Sequence, residues 1–95
     1  MDEEDLRRIA EAHVALGSGR ARELRLSLRM SVGDLGATVG VSGAAISRWE
    51  TGRRTPQGET AVRYARVLEV LAKVAGSARQ PSVLTVREGD EGGQL

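Results

Sequence analysis

The 95-residue chain contains no cysteine and no phenylalanine, and one each of tryptophan, tyrosine and histidine. Without cysteine there are no disulfides, thiolate metal ligands or cysteine nucleophiles, and a reducing compartment is the expected setting. A metal centre needs several converging ligands, and His13 has no companions to complete one. The same lone histidine would have to act as the base of any Ser-His-Asp arrangement, and no nucleophile elbow is present. The glycines of Gly17-Ser18-Gly19-Arg20 and Gly33-Asp34-Leu35-Gly36 match neither phosphate-binding fingerprint, since no strand precedes them and no Gly-Lys-Ser/Thr follows. No metal, no cofactor and no enzymatic activity are therefore expected. Trp49 and Tyr64 both fall on faces read as core, which argues against base stacking on single strands. No run approaches the roughly 18 apolar residues of a membrane span. The acidic start Met1-Asp2-Glu3-Glu4-Asp5 has the wrong sign for a signal peptide, so no membrane partner and a cytoplasmic location are expected.

At this length one domain with a modest core is possible, burying roughly 60–70% of the surface the unfolded chain exposes, and self-association is expected to support it. The net charge of +1 is uninformative, but its distribution is not. Residues 1–19 carry −3, residues 20–66 carry +5 and residues 67–95 carry −1. A basic stretch inside a near-neutral chain is the footprint of contacts to polyanion phosphates.

Periodicity predicts an all-α, five-helix domain with a short tail. Residues 1–17 contain an amphipathic helix over 3–16, with Leu6, Ile9, Ala10, His13 and Val14 on one face, broken by Gly17-Ser18-Gly19. Residues 18–76 hold four further helices. Ser18 or Gly19 opens the first, in which Ala21, Leu24, Arg25 and Leu28 share a face. Thr55 is read as the cap of the last, with Pro56 at its first position. That last helix carries Ala61, Tyr64, Ala65, Leu68, Leu71, Ala72 and Ala75, and ends near Gly76. Val67, Val70 and Val74 widen its apolar stripe, which calls for a second packing surface from the first helix or from a second copy. Residues 77–95 read as linker and tail, with a β-favouring heptad at 82–88 that would need a partner edge, from a symmetry mate or another protein.

The middle of the chain is the most informative part. Ser31 can cap a helix, with Asp34 completing a capping box, and Leu35 and Val39 lie four apart on one face. Gly40 ends that helix and Ser42 caps another, which places Ala45, Ile46 and Trp49 on one side and Gly43, Ala44, Ser47, Arg48 and Thr51 on the other. The latter face is small and polar with one long arginine, a shape suited to a groove in DNA or to another protein.

Leu35, Gly40, Val41, Ser42, Ile46, Trp49, Glu50, Gly52, Arg53, Arg54 and Pro56 stand where the Cro/CI-type helix-turn-helix family has its characteristic residues, and the chain resembles that family over roughly half its length. The resemblance implies a lambda-repressor-like fold, a recognition helix over about 43–51 in the major groove, and a structural ion pair between Arg25 and Glu50. It further implies contacts to double-stranded DNA from Ser31, Val32, Ser42, Gly43, Ala44, Ser47, Arg48, Thr51, Arg53 and Arg54, on a palindromic operator read by a homodimer. Val32 stands where the family usually has glutamine, and Gly43 and Ala44 occupy positions that often read bases, so hydrogen-bonded readout falls mainly to Arg48. The role expected is a nucleoid-associated Cro/CI-like repressor, of phage or chromosomal origin. The alternative is an antitoxin that binds its operator while residues 82–88 engage a toxin, and a third reading is a protein-interaction domain that has lost DNA affinity.

Overall fold

The computed structural model describes residues 1–79, and every regular element among them is an α-helix. The elements are α1 (Glu3–Ser18), α2 (Arg20–Ser27), α3 (Val32–Val39), α4 (Gly43–Glu50) and α5 (Gly58–Arg79). This is the all-α, five-helix architecture that the periodicity predicts. The strand expected at 82–88 lies outside the described residues.

Local chemistry sets the α3–turn–α4 unit. The Ser31 hydroxyl accepts the Asp34 N–H at 2.9 Å and the Asp34 carboxylate accepts the Ser31 N–H at 3.0 Å, closing a capping box. The Ser31 backbone N–H, followed by its hydroxyl, holds the Asp34 carboxyl below its ordinary range. Gly40 then turns the chain with φ 94°, a left-handed conformation that a side chain would strain. Its N–H and that of Val41 both donate to the Gly36 carbonyl, at 2.7 and 2.8 Å. Ser42 opens α4 by accepting the Ala45 N–H at 3.1 Å. Gly36 is where the turn folds back on α3. A methyl group there would stand 2.6 Å from the Val41 carbonyl oxygen, too close for any side chain, so the crossing requires glycine.

The core joins Leu35 and Val39 of α3, Ile46 and Trp49 of α4, and Tyr64, Ala65, Leu68, Leu71 and Ala75 of α5, with Ala12, Ala21 and Leu24 from the first two helices. Helix α1 lies against this core on a face that shares Ile9 with the one its periodicity suggests but not the other four residues. Asp5 and Ala12 are buried and Ile9, Ala15 and Leu16 pack beside them, while Leu6 is 59% and Val14 71% exposed. Ala10 and His13 are exposed as well. Charged pairs flank the buried side. Arg8 donates to Glu69 at 2.9 Å and Arg66 to Asp5 at 3.2 Å, and these partly sheltered pairs accompany the small Ala12 on the inward side. Helix α1 also continues through Gly17 and Ser18, and stops at Gly19 rather than before it.

Helix α5 differs from its expected bounds at both ends. Its first turn is closed by the Ala61 N–H donating to the Gln57 carbonyl at 3.2 Å, two residues beyond Thr55, and Gly58 inside that turn stands at φ 59°. Thr55 therefore does not cap the helix, and the buried Pro56 belongs to the loop. At the other end the helix passes Gly76 and reaches Arg79. Val67 is half-buried, but Val70 and Val74 are 56% and 50% exposed, so α1 does not cover this edge.

Candidate nucleic-acid interface

The outer side of α4 and the loop after it form one basic surface. Thr51 and Gly52 end the helix by donating their N–H groups to the Ser47 and Trp49 carbonyls. The N–H groups of Arg53 and Arg54 both return to the Arg48 carbonyl, at 2.8 and 3.2 Å. These bonds pin two loop arginines beside the arginine of the helix. Arg48, Arg53 and Arg54, with Ala45, Thr55 and Gln57, line an open cleft of about 680 Å³ that Trp49 walls. No carboxylate lines it, and among the described residues none of the three arginines is ion-paired. Three guanidiniums with unspent donors, anchored to one helix end, suit an extended anion such as a phosphate backbone.

The other residues named from the sequence divide by what their side chains can still do. Ala44, Ser47 and Arg48 are exposed on α4. The hydroxyls of Ser31 and Ser42 are exposed and each accepts a backbone N–H; the Ser42 hydrogen is left to donate, while that of Ser31 faces the Asp34 carboxylate. Thr51 donates its hydroxyl to the Ser47 carbonyl at 3.0 Å, so it offers a ligand only an acceptor. Val32 is half-buried against the core. Gly43 is half-buried too, although its spacing places it on the outer face. A methyl group at Gly43 would meet the Gly33 backbone at 3.1–3.2 Å, because the first turns of α3 and α4 touch through these two glycines. Thr55, read from the sequence as a helix cap, and Gln57, for which the spacing carried no signal, join the basic cleft.

Behind this surface lies the pair that ties α2 to α4. Arg25 donates from Nε and Nη2 to the two Glu50 carboxylate oxygens at 2.7 and 2.8 Å, and from Nη1 to the Met30 carbonyl at 2.9 Å. Both side chains are almost wholly buried, at 7% and 3% exposure. The carboxylate partner holds the Arg25 guanidinium firmly protonated. Tyr64, whose phenol is pushed up by burial, packs its ring edge-on to Trp49 with centroids 5.0 Å apart.

The helix-turn-helix family model matches residues 22–71, just over half of the chain, from α2 into α5 and excluding α1. The chain belongs to the Cro/CI-type helix-turn-helix family. No curated protein and no solved structure matches it. The match makes this a DNA-binding helix-turn-helix domain of the regulatory kind, a class not typically enzymatic. Among the described residues no helix is long and apolar enough to cross a membrane.

Proposed function

We propose that the protein is a sequence-specific transcription regulator of the repressor kind, which lays α4 in the major groove of double-stranded DNA. The observation that carries this reading is the exposed face Ala44–Ser47–Arg48 continuous with Arg53 and Arg54, which have no ion-pair partner among the described residues. A short recognition helix with small residues and one long arginine approaches base edges closely, while the loop arginines meet phosphates. The Ser42 hydroxyl hydrogen serves a phosphate oxygen beside the turn, and the exposed Ser31 hydroxyl borders the backbone on its other side. Val32 and Gly43 shape the approach of α3 to α4 and add little hydrogen-bonded readout, and Thr51 borders the helix end. Specificity this sparse favours two copies reading half-sites about 34 Å apart on one face of a palindromic operator. The exposed Val70 and Val74 edge of α5 is the proposed surface on which the copies pair.

Arg48→Ala is expected to relax preference at one or two operator positions and to weaken specific binding by about 1–3 kcal/mol. Arg53→Ala and Arg54→Ala are expected to weaken binding to all duplexes alike, each reducing the salt slope by about one unit. Fluorescence anisotropy across a panel of duplexes and salt concentrations separates the two effects. An Arg48→Ala protein that binds every sequence as the wild type does would show that this face does not read bases.

A further inference from the structure

Helix α1 lies outside the residues matched by the family, yet its C-terminal half reaches the loop that carries the arginines. A second cleft, of about 280 Å³, opens between them. Leu16, Gly17, Trp49 and Gly52 line it together with the polar residues His13, Arg54 and Thr55. Trp49, Arg54 and Thr55 also line the cleft of Arg48 and Arg53, so the two are continuous. His13 is exposed and does not pack as the periodicity of α1 suggests.

We propose that this cleft seats a phosphate of the duplex backbone, held by His13, Arg54 and Thr55, so that α1 extends the DNA contact beyond the family motif. The proposal rests on the reading of α4 as a recognition helix. An imidazole, a guanidinium and a hydroxyl converge there, and none of the three side chains donates to another acceptor among the described residues. Among the described residues no carboxylate lines the cleft, and Arg54 is the one charged group facing His13 across it. Along α1 the positions three and four away from His13 are Ile9, Ala10, Leu16 and Gly17, all uncharged. The nearest carboxylate in sequence, Glu11, is held by Arg7 at 2.8 Å. An anion is therefore the partner that the cleft lacks, and a backbone phosphate is the one that a duplex lying on the adjacent arginines delivers.

A phosphate oxygen accepts an imidazole N–H, so this seat adds a donor from α1 to the contact. The test measures affinity for one selected duplex at about pH 6 and about pH 8 over a range of salt, for the wild type, His13→Gln and His13→Lys. At about pH 6, His13→Gln should bind about three- to tenfold more weakly than the wild type, as expected for the loss of one charged contact. Its salt slope should be smaller by about one unit. Its base preference and melting temperature should be unchanged. His13→Lys should keep the affinity at both pH values. If His13→Gln matches the wild type in affinity, slope and pH dependence while Arg48→Ala still alters base preference, the phosphate seat is wrong and the recognition helix stands. If the wild type binds no duplex at low salt, both readings fall.

Discussion

Glu50→Ala is expected to destabilise the domain by about 3–5 kcal/mol, because it leaves the Arg25 guanidinium buried without its counter-charge. Arg25 would retain the Met30 carbonyl at 2.9 Å and lose both short contacts to carboxylate oxygens. A carbonyl cannot replace a carboxylate for a cation this deeply enclosed. The pair also spans α2 and α4, so its loss loosens the recognition helix from the body of the domain. Arg25→Ala is expected to cost a similar amount, by stranding the carboxylate. Replacing both residues by apolar ones of similar volume should recover most of the loss, since a buried pair and a well-packed apolar substitute are often equivalent. Urea denaturation of the single and double variants measures this directly. A Glu50→Ala protein as stable as the wild type would mean that water reaches Arg25.

Trp49→Ala is the second large effect, at about 3–5 kcal/mol. The ring is buried between α4 and α5, and its edge-on contact with Tyr64 contributes about 0.5–1.5 kcal/mol beyond the area it buries. Truncation would leave a cavity beside Tyr64, whose hydroxyl has no hydrogen-bond partner among the described residues to hold it in place. Trp49 also lines both clefts, so the loop carrying Arg53 and Arg54 would lose its support. Thermal melting and duplex affinity should therefore fall together. A melting temperature equal to that of the wild type would place the indole at the surface.

The helix-turn-helix was legible in the sequence because its signals are local. Ser31 with Asp34, Gly40 and Ser42 mark the ends of α3 and α4 within a dozen residues, and each acts through backbone groups a few positions away. The Arg25–Glu50 contact could be expected only from the family resemblance, since nothing in the intervening residues links the two. What was not legible depends on groups distant in sequence. The apolar positions of α1 pointed to Leu6, Ile9 and Val14 as its buried side, and of these Ile9 packs, on a side where Ala12, Ala15 and Leu16 meet the core and Asp5 and Arg8 meet Arg66 and Glu69 on α5. The contact of Gly33 with Gly43 likewise depends on how two helices cross, which helical periodicity does not report. The larger cleft arises where the loop after α4 folds back beside that helix, and the smaller one where α1 meets both, so Gln57 and His13 carried no signal of their own.

The central claim is that α4 and the loop following it are the surface that meets DNA. Chemical-shift mapping of the ¹⁵N-labelled protein, titrated at low salt with a duplex selected from a random pool, tests it most directly. The account predicts the largest amide shifts at Ser42–Arg48 and Gly52–Gln57. It is contradicted if these residues stay unchanged while the largest shifts fall on the outer face of α5, or if no duplex in the pool shifts them.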